Sequence, residues 1–106
     1  MIKTGGENVA SREVEEAIYT HPDVAEVAVF GVSLPRWVEA VAAVVVPRAG
    51  ADLSPDDVLT HARSVLAGYK APKYVVLAEA LPKNPSGKIL KRQLRDAHAD
   101  LSAGED

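Results

Sequence analysis

The chain contains no cysteine, which excludes disulfides, thiolate metal ligands and a cysteine nucleophile. Aromatic residues are scarce: one Trp, one Phe and three Tyr in 106 residues. A core must therefore come from Val, Leu, Ile and Ala. No apolar run approaches the roughly 20 residues of a membrane span. The longest candidate, Val38 to Val46, is interrupted by Glu39. Met1-Ile2-Lys3 leads straight into Gly5-Gly6-Glu7, a start from which no secretory leader is expected. Together these absences fit a cytoplasmic chain.

What remains is ordinary for one globular domain with a modest core: 47% hydrophobic and 25% charged residues. The net charge of −3 is unevenly spread. Residues 70–95 hold seven basic residues (Lys70, Lys73, Lys83, Lys88, Lys91, Arg92 and Arg95) and one acid, Glu79. The remainder holds five basic and fourteen acidic residues. Two readings fit this basic stretch: the solvated face of a helix, or a site for a phosphate-rich small molecule. Nucleic acid fits poorly, because aromatics are few and the overall balance is acidic.

Periodicity and punctuation give an element order. Residues 1–9 read as an extended segment turning at Gly5-Gly6. Residues 11–20 read as a helix with Val14, Ala17 and Ile18 on one face, ended by His21-Pro22. Val24 to Val32 reads as a buried strand. A turn containing Pro35 leads to a second strand, Trp37 to Val46, antiparallel to the first because the connection is short. Ser54-Pro55-Asp56-Asp57 starts a helix, with Ser as N-cap and Pro at the first helical position. Val58, Leu59, Ala62, Val65 and Leu66 form its apolar stripe, and Gly68 stops it. Tyr74 to Leu77 reads as a short strand, Leu81 to Gly87 as a loop, and Ile89 to about Leu101 as a final helix. The expected fold is α+β: about three helices on a small, mostly antiparallel sheet of about three main strands, plus a short N-terminal hairpin.

Familiar chemical motifs are mostly missing. Gly87-Lys88 suggests a phosphate-binding P-loop, but Pro82 and Ile89 occupy places that need Gly and Ser or Thr. No GxGxxG supports a dinucleotide fold. His21, His61 and His98 are scattered and read as surface or boundary residues, so no metal site is expected. No serine sits in a nucleophile elbow. Lys88 stands out on other grounds. It follows a glycine at the tip of a proline-stiffened loop, just before a helix, where it can project a compact positive charge.

Four segments in order resemble the C-terminal domain of adenylate-forming enzymes. They are Ile2-Lys3-Thr4-Gly5-Gly6-Glu7-Asn8-Val9, His21-Pro22-Asp23-Val24-Ala25-Glu26-Val27-Ala28-Val29, Tyr69-Lys70-Ala71-Pro72-Lys73, and Leu81-Pro82-Lys83-Asn84-Pro85-Ser86-Gly87-Lys88-Ile89-Leu90. The resemblance covers essentially the whole chain. It implies a two-step reaction with ATP and CoA as substrates, and Mg2+ accompanying ATP without being bound by this domain. A carboxylate attacks the α-phosphate of ATP, the domain rotates, and a thiol displaces AMP. Lys88 would orient carboxylate and α-phosphate in the first step as an electrostatic clamp, not a base. Gly5, Gly6 and Glu7 would face the CoA channel in the second. Trp37, Tyr69 and Lys73 match positions near the CoA nucleotide.

The Thr4 to Asn8 wording resembles acyl-CoA synthetases for fatty acids more than peptide-synthetase adenylation domains. An aryl-CoA ligase fits the same motifs. A non-catalytic module that meets a protein or nucleic acid is the reading from a different class. Two departures from the family pattern matter. Val38 replaces the usual Gly between Trp37 and Glu39. The chain also begins where the family's hinge ends, so residues 1–106 are expected to be one C-terminal domain without its large N-terminal partner. Alone, such a domain is expected to be inactive. The parent enzyme would reside in the cytoplasm or at the membrane periphery.

Overall fold

A computed structural model describes residues 2–4, 7–33, 39–66 and 68–99. Gly5, Gly6, Trp37 and the C-terminal tail lie outside the described residues. The order is β1 (Ile2–Thr4), β2 (Glu7–Val9), α1 (Ser11–Tyr19), β3 (Val24–Ser33), β4 (Glu39–Pro47), α2 (Pro55–Val65), a 3-10 turn (Gly68–Lys70), β5 (Tyr74–Leu77) and α3 (Lys91–Ala97). This is the expected α+β arrangement.

β1 and β2 form an antiparallel hairpin with Thr4 opposite Glu7. β3, β4 and β5 form the main sheet in that order. β3 and β4 are antiparallel, with a register shift between Val24 and Glu26. β5 runs parallel to β4, since α2 carries the chain back before it pairs.

The sheet is covered on both faces, which explains the unbroken apolar runs of β3 and β4. On one face, Val27, Val29, Val41, Ala43 and Val45 pack with Ile2 and Val9 of the hairpin, Val14 and Ile18 of α1, and Val58 and Ala62 of α2. On the other, Ala28, Phe30, Ala42 and Val44 pack with Leu81 and with Leu94 of α3. Each fully buried Val or Ile contributes about 1.5–3 kcal/mol relative to exposure.

The helix ends follow local chemistry. Ser54 accepts from the Asp57 amide at 3.1 Å, and the Asp57 carboxylate accepts from the Ser54 amide at 3.0 Å. This capping box fixes the start of α2. α2 ends at Val65, before Gly68, and Val65 is 53% exposed, so it leaves the expected stripe. α3 is shorter than expected and begins at Lys91. Ile89 is instead held in a bridge to Lys83. Among the described residues, no helix is long and apolar enough to cross a membrane.

Candidate functional site

The segment Lys83 to Ile89 closes on itself as a miniature hairpin. Lys83 and Ile89 pair antiparallel, the Asn84 amide donates to the Lys88 carbonyl at 2.9 Å, and the Gly87 amide donates to the Asn84 carbonyl at 2.9 Å. Pro85 occupies the second turn position, which its fixed φ favours. Gly87 follows with φ of +87°, the left-handed conformation that three-residue hairpin loops require and that glycine adopts without strain. Lys88 is the next residue, and it is exposed.

Both ends of this turn are anchored. Leu81 and Ile89 pack in the cluster on the sheet face that also holds Leu94 of α3. Lys83 pairs with Glu26 of β3. Just beyond the turn, the Lys91 ammonium lies 2.7 Å from the Glu15 carboxylate and donates to Ser11 Oγ at 3.3 Å. The same Glu15 oxygen accepts from the Val29 amide at 2.9 Å. Arg95 reaches Glu39 at 3.6 Å.

These contacts divide the basic stretch. Lys70, Lys83, Lys91 and Arg95 are paired with Glu13, Glu26, Glu15 and Glu39, acids far away in sequence. Most of the local charge therefore ties elements together. Lys88 and Arg92 have no side-chain ion pair among the described residues, and both line one groove of about 740 Å3.

Of the other expected site residues, those within the described residues lie on separate elements. Gly5, Gly6 and Trp37 lie outside the described residues. Glu7 is placed by its backbone at the start of β2, and Tyr69 by its backbone in the 3-10 turn. Lys73 is exposed, with its ammonium 5.8 Å from the centroid of the Tyr74 ring. The hairpin packs on one face of the main sheet and the Lys88 turn on the other.

The histidines have structural partners. His21 Nδ1 accepts from the Asp23 amide at 3.0 Å, His61 Nε2 lies 2.6 Å from Thr20 Oγ1, and His98 stacks on Phe30. Among the described residues, no group of three or more His, Asp or Glu side chains is placed to hold a metal.

Sequence reasoning missed Asn84, Glu15 and Glu39. An Asn-Pro-x-Gly turn signature marks the first. An isolated glycine inside an apolar strand, Gly31, signals the close approach made by Glu39. No local signal marks Glu15.

Residues 13–88 match the AMP-binding enzyme C-terminal domain family, and the chain belongs to this family of adenylate-forming enzymes. It is 48% identical over 95 residues to a feruloyl-CoA synthase of Amycolatopsis sp, covering 90% of this chain and 19% of that protein. It is 44% identical over 99 residues to the long-chain-fatty-acid–CoA ligase FadD13 of Mycobacterium tuberculosis, covering 93% and 20%. The crystal structure of ATP-bound MatB from Rhodopseudomonas palustris superposes with a TM-score of 0.88 at 39% identity, covering 93% of this chain and 20% of that one. The chain thus spans about a fifth of the length of the relatives it matches.

Proposed function

We propose that the chain is the mobile C-terminal domain of an ATP-dependent acid–CoA ligase, and that Lys88 is its catalytic residue in the adenylation step. A larger N-terminal domain would hold ATP with its Mg2+ and the acid. The carboxylate oxygen attacks the α-phosphorus, pyrophosphate leaves, and an acyl-adenylate forms. The CoA thiol then attacks the acyl carbon and AMP leaves.

The observation that carries this reading is the isolation of Lys88. It is an exposed ammonium without an ion-pair partner among the described residues, on a turn anchored at both ends. Between two anions it offsets their repulsion. At 4 Å each contact is worth about 1 kcal/mol in water but about 4 kcal/mol at a protein-like effective dielectric. The difference, about two powers of ten in rate, exists only where a second domain closes over the lysine. The isolated chain is therefore inactive on this reading.

The placement of the β1–β2 hairpin and the Lys88 turn on opposite faces supports a rotating domain. One pose offers Lys88; the other offers Gly5, Gly6 and Glu7 to CoA, with Trp37, Tyr69 and Lys73 toward its nucleotide. The likeness to FadD13 and the Thr4–Asn8 segment favour a fatty acid as substrate. The likeness to feruloyl-CoA synthase favours an aryl acid as the second reading.

ATP–pyrophosphate exchange with a panel of fatty and aryl acids tests this. The full-length ligase should exchange with fatty acids, and the 106-residue chain alone with none. Exchange by the chain alone, or none by the full-length protein with any carboxylic acid, overturns the reading. Exchange with aryl acids only selects the second reading.

A further inference from the structure

Every backbone amide between Pro85 and Ile89 donates to one residue. The Gly87 amide uses the Asn84 backbone carbonyl at 2.9 Å. The Ser86 and Lys88 amides use the Asn84 side-chain oxygen, at 3.1 and 2.9 Å. The Ser86 hydroxyl donates to the same oxygen at 2.8 Å. In return the Asn84 amide donates to the Lys88 carbonyl at 2.9 Å. Lys88 is thus gripped through both its N–H and its C=O by a single residue four positions earlier.

We propose that Asn84 is a positioning residue for Lys88, setting the turn that aims the lysine before any substrate arrives. This rests on the assignment of Lys88 given above. The chemistry favours Asn at this place. Its carbonyl oxygen reaches amides two residues on, as in an Asx turn, and its neutrality leaves the lysine charge intact. Without that oxygen the exposed turn would hydrogen-bond to water and sample other shapes. A lysine displaced by about 1 Å can cost on the order of 100-fold in rate.

The test uses the full-length ligase with Asn84→Ala, Asn84→Thr and Lys88→Ala. Acyl-adenylate formation and thioester formation from supplied acyl-adenylate are measured separately. Asn84→Ala should lower the adenylation kcat roughly 10- to 100-fold, with KM for ATP little changed and thioester formation retained. Asn84→Thr, whose hydroxyl is a weaker local acceptor, should recover much of the loss. In the wild-type enzyme the Lys88 amide should exchange with solvent more slowly than an unbonded amide, and Asn84→Ala should abolish that protection.

Wild-type adenylation in Asn84→Ala, beside its loss in Lys88→Ala, overturns the inference and leaves the function standing. Equal loss of both half-reactions in Asn84→Ala overturns it as a general structural effect. An unprotected Lys88 amide in the wild type overturns it without any variant. Intact adenylation in Lys88→Ala overturns the function reading and this inference together.

Discussion

The Glu39 carboxylate occupies the space where a side chain at Gly31 would begin. A β-carbon added at Gly31 would stand 2.5 Å from Glu39 Oε2. The two residues are diagonal neighbours across β3 and β4, where Gly31 pairs with Val41 and Ser33 with Glu39. Seated there, Glu39 accepts from the Lys3 amide at 3.1 Å and meets Arg95 at 3.6 Å. One carboxylate therefore links β1, the main sheet and α3.

Gly31→Ala should displace the Glu39 carboxylate, the movable end of a flexible side chain, and destabilise the fold by about 1 kcal/mol or less through its lost contacts with Lys3 and Arg95. Urea unfolding measures it. In a Glu39→Ala background Gly31→Ala should cost little more, because those contacts are already lost, so the two changes should be non-additive.

Glu15→Ala should cost about 1–3 kcal/mol, since the Val29 amide loses its acceptor and Lys91 its partner. Glu15→Gln keeps an acceptor and should cost less. Equal effects of the two changes in urea unfolding would contradict the role given to the Val29 contact.

Leu94→Ala and Ile18→Ala should each cost about 2–5 kcal/mol. Leu94 is 5% exposed and Ile18 fully buried, and they belong to clusters on opposite faces of the sheet. Their combined effect should be additive within about 0.5 kcal/mol. A large coupling would mean that the two faces are not independent.

Much of the fold is legible in the sequence because its signals are local. Ser54, Pro55 and Asp57 mark the start of α2, and the unbroken apolar runs of β3 and β4 announce a sheet covered on both sides. The start of α3 is misplaced because Leu90 follows the helical spacing yet serves as the N-cap, while Ile89 is claimed by a bridge to Lys83. The basic stretch misleads for a different reason. The acids that neutralise it, Glu13, Glu15, Glu26 and Glu39, arrive only through folding. Lys88 is recognisable from its motif, while its isolation from those acids is a property of the folded chain alone.

The most direct test of the account is Lys88→Ala in the full-length protein that carries this domain, with the two proposed half-reactions measured apart. Because Lys88 is exposed and has no side-chain partner among the described residues, stability should change by less than about 0.5 kcal/mol. Acyl-adenylate formation should fall by about 100-fold or more, while thioester formation from supplied acyl-adenylate stays near the wild-type rate. Unchanged adenylation, or equal loss of both steps, would contradict the account.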